Sequence, residues 1–162
     1  MLTLRQTKFR DDFLSPWRQR FYYLKSLPMG LLSGIKLIQL DEAVSVSEVP
    51  MRWGNKNPFN SMYFAVQSMA AELSTAAPVL MALKGSDADI ALIIVDLKAE
   101  FVKKAQSKIT FSCVDFDKIT NAVAQLKCAG DIAMVTARTT GRDVDDNEVA
   151  NFYFTWSFKR RS

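Results

Sequence analysis

Apolar residues at helical spacing mark the N-terminal part of this chain, and apolar residues in alternation mark most of the remainder. Near the N-terminus, large apolar side chains recur at intervals of four, four and three positions, at Phe13, Trp17, Phe21 and Leu24. This spacing follows one face of a helix and predicts helical structure over residues 4–27. Ser15 followed by Pro16 is typical of a helix start, so a second helix is expected to begin there and to end at residues 28–30.

Alternation of apolar and polar residues predicts strands through the rest of the chain. The clearest alternation places an aromatic residue at every second position, at Phe152, Phe154, Trp156 and Phe158. Across residues 88–105 the pattern fits one long strand or two shorter ones. The other predicted strands are residues 35–40, 43–49, 108–114, 132–142 and 148–160. A sheet of about six strands is therefore expected, and its short turns make it largely antiparallel.

Two more helices are predicted between the strands. Residues 61–84 are the longest apolar stretch that prefers helix, and Pro78 within it should kink or divide the helix. Residues 116–129 show a second helical pattern, with Asp115 or Asp117 as the N-cap. Because residues 61–84 are apolar nearly all round, we expect that helix to be enclosed rather than to lie on a surface. A sheet curled around one long helix accounts both for the alternating strands and for the enclosed apolar helix.

Length and charge narrow the class of protein. The chain has 162 residues, which is the size of one domain, and its 49% apolar and 23% charged residues are typical of globular proteins. A net charge of only +4, without a basic stripe, argues against a nucleic-acid-binding protein. The N-terminus lacks the apolar core of a signal peptide, and no run of about 18 apolar residues predicts a membrane span. The expected location is the cytoplasm.

The chain contains no histidine, which removes the commonest general base and the commonest transition-metal ligand. Its two cysteines, Cys113 and Cys128, lack the close spacing of a metal site, and no base accompanies either thiol. Any catalysis must therefore use carboxylates, hydroxyls, amides or backbone dipoles. No metal and no cofactor are expected.

Two segments resemble the hotdog thioesterase superfamily, and in particular a bacterial branch labelled as a domain of unknown function. They are residues 57–75 (NPFNSMYFAVQSMAAELST) and residues 100–111 (EFVKKAQSKITF). The resemblance implies an α+β fold: a single hotdog domain over residues 30–162, with an antiparallel sheet wrapped around the long central helix. Residues 1–29 would then be an N-terminal helical extension.

The resemblance also implies a function and an assembly. Characterised relatives hydrolyse acyl-CoA or acyl-carrier thioesters as homodimers or tetramers, with sites at the boundary between protomers. A loop ending in His-Gly or Asn-Gly leads into their central helix and grips the thioester carbonyl, and an acid further along acts as base or nucleophile. Here the loop runs from Asn57 to Ser61 without that motif, and Glu72, the only acid on the helix, lies about one turn later than usual.

The central helix can also be interpreted from its own residues. At about 100° per residue, four polar side chains fall within a wedge of roughly 60°, namely Ser61, Ser68, Glu72 and Thr75. A carboxyl group on such a helix is costly to bury. Glu72 is therefore either part of a structural ion pair or hydrogen-bond network at a subunit interface, or the carboxylate of a substrate tunnel, held ready as a general base.

The residues before the helix have two interpretations as well. Asn57, Asn60 and Ser61 are either ordinary caps or part of an oxyanion site at the helix N-terminus, and one residue can serve both purposes. Tyr63 either shapes the mouth of a pocket or only packs against neighbouring side chains.

The sequence thus predicts an acyl-CoA or acyl-carrier thioesterase. The predicted catalytic residues are Glu72 and Ser68, and the predicted substrate-binding residues are Asn57, Asn60, Ser61, Tyr63 and Thr75. The alternative is a non-catalytic hotdog protein that binds an acyl chain or another small apolar ligand. A hydratase is disfavoured because such relatives depend on a histidine.

Overall fold

The computed structural model describes residues 2–162 and contains five α-helices and six β-strands. The helices are α1 (Leu4–Leu14), α2 (Pro16–Ser26), α3 (Pro28–Ser33), α4 (Phe64–Leu83) and α5 (Phe116–Ala124). The strands are β1 (Lys36–Leu40), β2 (Ser45–Val49), β3 (Ile90–Phe101), β4 (Ile109–Cys113), β5 (Ile132–Arg142) and β6 (Glu148–Arg160). A single 3-10 turn, Trp53–Asn55, lies between β2 and α4.

Local signals set the N-terminal helices. Thr3 and Gln6 form a reciprocal capping box that starts α1. Proline stands at the first position of both α2 and α3, where its missing N–H has no helical partner to lose. The helix α3 was not predicted, because Pro28 followed by Met and Gly resembles a helix stop. Gly34 ends α3 in a left-handed conformation, with φ of 73°.

The six strands form one antiparallel sheet in the order β1-β2-β4-β5-β6-β3. The segment that fitted one strand or two is the single strand β3, which pairs with β6 along its whole length and contains a bulge between Ile94 and Asp96. Because β6 pairs with β3 on one side and with β5 on the other, its alternating aromatic side chains belong to an interior strand, next to the β3 edge. The strand β3 forms one edge and β1 the other.

The central helix α4 is enclosed by the sheet, as predicted, and packs against β1, β2, β4, β5 and β6 as well as α1 and α5. Two buried hydroxyls attach it to the strands: Ser47 donates to the carbonyl of Ala70 at 2.6 Å, and Ser74 donates to the hydroxyl of Thr139 at 2.7 Å. By length and apolar character α4 passes as a membrane span, yet two thirds of it are buried within the protein. It is the core helix of the domain.

The bounds of two predicted helices are corrected. The helix α4 begins at Phe64, three residues later than predicted, because Met62 pairs with Lys56 and donates its N–H to the carbonyl of Ala105. It runs as one helix through Pro78, so the proline does not divide it. The helix α5 ends at Ala124 rather than at residue 129. Taken together, the architecture is the predicted α+β hotdog arrangement with extra N-terminal helices.

Candidate functional site

A cleft of about 570 Å³ lies at the N-terminal end of α4. Its walls come from the loop before the helix, from the first turns of the helix, and from the segment that follows β3. The lining residues are Asn57, Pro58, Phe59, Ser61, Met62, Tyr63, Phe64, Gln67 and residues 101–105. Three of the predicted substrate-binding residues, Asn57, Ser61 and Tyr63, therefore share one cleft.

Asn57 organises the loop through its side chain. Its Oδ1 accepts hydrogen bonds from the N–H of Phe59 at 3.0 Å and of Ser61 at 3.2 Å, and its Nδ2 donates to the hydroxyl of Ser61 at 3.0 Å. Asn60 takes a left-handed conformation, with φ of 56°, which an asparagine tolerates better than most residues. Asn60 is exposed and does not line the cleft. The loop is thus a compact turn held by one amide side chain.

The helix end that borders this cleft carries no side-chain cap. Tyr63 is the N-cap, and its side chain accepts no hydrogen bond from the helix. The N–H groups of Val66 and Gln67 donate to the carbonyl of Tyr63, so those of Phe64 and Ala65 lie ahead of the first hydrogen-bonded turn. Free N–H groups and the helix dipole favour negative charge at this position. The arrangement suits an oxygen atom that gains charge during a reaction.

Gln67 is a cleft residue that the sequence did not predict. Its side chain is buried, and its Nε2 donates to the carbonyl of Met62 at 3.2 Å. Its Oε1 is also buried and has no hydrogen-bond partner among the described residues. A buried acceptor without a partner is costly, which points to a donor supplied from outside the chain. In the sequence, Gln67 is one more helix-forming residue, so no signal marked it.

Glu72 lies two turns further along α4 and is mostly buried. Burial raises the pKa of its carboxyl group to about 7. Within residues 2–162 the carboxyl group has neither a hydrogen bond nor an ion pair, so the structural ion pair considered above is not present in the protomer. A carboxyl group in this environment changes its protonation near neutral pH, as a general base requires.

Tyr23, on α2, is the polar neighbour of Glu72 and was not predicted either. Its hydroxyl is buried and has no hydrogen-bond partner in the described part of the chain. Burial, then Tyr22, and then the charge of Glu72 raise the pKa of the Tyr23 phenol. An N-terminal helix thus brings a second unpaired polar group close to the buried carboxyl group.

The predicted polar stripe is divided in the structure. Ser61 precedes the helix and belongs to the loop. Thr75 is fully buried and faces the sheet, where its hydroxyl accepts a hydrogen bond from Trp156 Nε1 at 3.3 Å and donates to the carbonyl of Glu72. Ser68 donates to the carbonyl of Phe64 at 3.0 Å. Only Ser68 remains on the same side of the helix as Glu72, one turn before it.

Within one protomer, the cleft and the carboxyl group of Glu72 are separated. Glu72 lies about 12 Å along the axis from Phe64 and about 140° around the helix from Gln67. Glu72 does not line the cleft. The helix end and the carboxyl group therefore do not face one common cavity within the described protomer.

A larger cavity, of about 680 Å³, lies between α2, α3 and β1, and none of the predicted site residues line it. Its wall includes Tyr23 and three cations, Arg20, Lys36 and Arg52, but no acid. The guanidinium group of Arg52 lies against Gly34, where a β-carbon would be 2.5 Å from Nη1. Glycine is favoured there by its left-handed backbone, and its missing β-carbon leaves room for the guanidinium group.

Comparison with solved structures finds similar folds in several bacterial proteins. A Pseudomonas aeruginosa protein named as a probable thioesterase is 18% identical, with a TM-score of 0.70, covering 93% of this chain and 99% of that one. A Shewanella oneidensis protein provisionally named a thioesterase is 15% identical, with a TM-score of 0.74, covering 91% and 97%. A Staphylococcus aureus thioesterase is 10% identical, with a TM-score of 0.60, covering 82% and 98%.

These likenesses confirm the predicted hotdog fold. Two structures of the S. aureus protein carry alanine in place of a glutamine and of a glutamate, respectively. No protein-family model matches the sequence, and no curated protein matches it.

Proposed function

We propose that this chain hydrolyses thioesters of acyl-CoA or of an acyl carrier, at a site shared between two copies. The observation that carries the proposal is Glu72, a largely buried carboxyl group without a partner among residues 2–162, on the helix that the sheet encloses. A buried charge without a partner is costly in a structural core, whereas a base that works near neutral pH needs this environment.

The chemistry follows from the groups present. Glu72 takes a proton from water, and the water oxygen attacks the thioester carbonyl; alternatively, the carboxylate itself attacks and water then releases the acyl group. The carbonyl oxygen becomes negatively charged at the uncapped end of α4, which favours that charge. When the carbon–sulfur bond breaks, the thiolate leaves and is protonated. The products are a carboxylate and a thiol.

The remaining cleft residues fit the substrate. Tyr63, Phe64 and Phe101 supply exposed apolar surface for a chain or an arm of the thioester. The unpartnered Oε1 of Gln67 is an acceptor, so it suits an amide N–H of the pantetheine arm rather than the carbonyl. Lys104 also lines the cleft and has no ion pair with the described residues, which leaves it available for a phosphate group.

The spacing of two residues supports the roles of the loop and the helix acid. The glutamine and the glutamate replaced in the S. aureus structures are fifteen positions apart. The same separation relates Asn57 to Glu72 in this chain. This chain therefore has an amide side chain and a carboxyl group at that same interval.

The second copy is proposed to add to the sheet along β3. This edge strand pairs only with β6, so its other side presents unpaired backbone groups, and apolar side chains are exposed along it, namely Leu92, Ile93, Val95, Leu97 and Phe101. A long apolar edge of this kind favours pairing with another chain. Phe101 also lines the cleft, so a partner on this edge would meet the cleft directly.

A reducing compartment such as the cytoplasm fits the state of the cysteines. Cys113 is buried and Cys128 is exposed, and both are free thiols. We propose the cytoplasm as the location on this ground.

The test is hydrolysis of acyl-CoA substrates of graded chain length by the wild type and by Glu72→Ala. We expect turnover of at least one chain length by the wild type and its loss in Glu72→Ala, with an unchanged fold by circular dichroism. Asp145→Ala, which removes an exposed carboxylate on the β5–β6 turn, is the matched control and should retain full activity.

Two results would contradict this function. Undiminished turnover by Glu72→Ala rejects the role of the carboxyl group. No turnover of any substrate by the wild type, together with an acyl compound found by mass spectrometry of the purified protein, favours the alternative of a non-catalytic acyl-binding protein.

A further inference from the structure

The apolar stripe of α2 faces solvent instead of the core. Trp17 is 80% exposed, Phe21 is 70% exposed and Leu24 is 65% exposed. The opposite side of the helix, which packs inward, carries the buried residues Gln19 and Tyr23. The large side chains that the sequence spaces along one helix face are therefore turned away from the domain, although burial would stabilise them more than it stabilises a glutamine.

The exposed apolar surface continues beyond α2. Leu27 lies between α2 and α3, and Met29 and Leu32 on α3 are 56% and 72% exposed. We call the six residues Trp17, Phe21, Leu24, Leu27, Met29 and Leu32 the docking face. Proteins seldom leave a run of this size in contact with water unless something covers it.

The charged residues within the segment that carries the docking face are all positive. Residues 16–33 include Arg18, Arg20 and Lys25 and contain no acid. At about 100° per residue, Arg20 falls on one side of the apolar stripe, and Arg18 and Lys25 fall on the other. Arg18 contacts Asp12, whereas Arg20 and Lys25 have no ion pair with any described residue. Two unneutralised cations thus flank the apolar stripe, one on each side.

We propose that the docking face binds the surface of an anionic lipid bilayer without spanning it. A helix with tryptophan, phenylalanine and leucine on one stripe and cations beside it is typical of helices that lie in the interface of a bilayer. A second copy of the chain is the less suitable partner. In a twofold contact between identical faces, Arg20 and Lys25 would approach the same positive set in the partner.

The cavity beside the docking face also favours a lipid surface. Trp17 and Arg20 belong both to the α2 surface described above and to the wall of the 680 Å³ cavity. Leu14, Leu31 and Leu37 contribute apolar side chains to the same wall. A bilayer held at the docking face would place acyl chains and anionic headgroups next to a cavity that has apolar walls and cationic side chains.

The experiment measures co-flotation of the full chain with vesicles of phosphatidylcholine, with and without phosphatidylglycerol. We expect binding that requires phosphatidylglycerol and weakens with added salt. Trp17→Ala combined with Phe21→Ala should lower the vesicle affinity by about tenfold or more, because apolar burial drives this kind of insertion. Arg20→Gln and Lys25→Gln should each lower it by about fivefold. Met134→Ala, an exposed apolar residue on β5, is the matched control and should bind like the wild type.

Other outcomes overturn the proposal. The proposal fails if the wild type binds neither vesicle, or if Trp17→Ala with Phe21→Ala binds as well as the wild type. It also fails if that double variant changes the oligomeric state in sedimentation, because a second copy would then be the partner. All four variants alter exposed side chains, and equal thermal unfolding curves would exclude loss of the fold as the cause.

Discussion

Replacing Glu72 with glutamine tests the buried carboxyl group directly, because glutamine keeps its size and removes its ionisation. Burial raises the pKa of the folded carboxyl group to about 7 from an ordinary value of 4.5. The chain has no histidine, so no imidazole group changes charge between these two values. Asp143, whose pKa is lowered to about 2, and Asp41 and Asp131, whose pKa values are also lowered, titrate below this range.

The raised pKa of Glu72 determines how the free energy of unfolding changes with pH. Below pH 4.5 the carboxyl group is protonated in both the folded and the unfolded chain, so Glu72 imposes no penalty. Between pH 4.5 and 7 the unfolded chain ionises first, and the free energy of unfolding falls as the pH rises. Above pH 7 the loss is complete. A shift from 4.5 to about 7 corresponds to about 3 kcal/mol.

The assay is urea denaturation of the wild type and of Glu72→Gln at intervals from pH 4 to pH 8. The two proteins should have nearly equal free energies of unfolding at pH 4, and the variant should be more stable by about 3 kcal/mol at pH 8. The midpoint of thermal unfolding should then rise by roughly 6–12 °C in the variant at pH 8. In the same range, kcat/KM of the wild type should rise with pH to a plateau above about pH 7, and the variant should be inactive.

Parallel stability curves for the two proteins would refute this reasoning, because Glu72 would then titrate as an ordinary exposed acid. A variant that is less stable than the wild type at every pH would refute it in another way, because the carboxylate would then have a stabilising partner. Either result would remove the physical basis for a base at this position.

Two further substitutions test the cleft and the second copy. Gln67→Met removes the buried unpartnered oxygen, so the free energy of unfolding should stay level or rise by about 1 kcal/mol. The same variant should raise KM for acyl-CoA. An unchanged KM would exclude Gln67 from substrate binding. Ile93→Lys places a charge on the free edge of β3, so this variant should be a monomer in analytical ultracentrifugation and should lack activity. Ile132 is about equally exposed but lies on an interior strand, so Ile132→Lys should keep both the assembly and the activity of the wild type. A monomeric wild type would contradict the shared site.

Much of the sheet could be predicted from the sequence because its signals are local. Strands β5 and β6 were predicted with the ends that the structure shows, since the polar turn of residues 143–147 separates two strand-forming segments and β6 alternates clearly. The start of α4 could not be predicted in this way. Residues 61–63 have helix-compatible side chains, and the contact that keeps them extended comes from Ala105, far along the chain.

At the candidate site too, the sequence predicted what local patterns determine and missed what long-range contacts determine. An apolar helix with one acid predicts a costly carboxyl group, and the structure places Glu72 in a largely buried position without a partner among residues 2–162. Helical spacing also grouped Thr75 with Glu72, but Trp156 holds Thr75 toward the sheet. For α2, spacing predicted the helix and not its orientation, because Gln19 donates to the carbonyls of Phe13 and Leu37 and fixes the other face inward. Such contacts are non-local and leave no mark in the sequence.

The position of β3 in the sheet has a consequence for how the chain is made. Its only partner strand is β6, which follows β4, α5 and β5 in the sequence. During synthesis on the ribosome, β3 with its exposed apolar side chains therefore stays unpaired on both edges until β6 has emerged. Any chain that stops before Glu148 would leave β3 without a partner on either side, so premature termination should yield aggregates rather than a smaller folded domain.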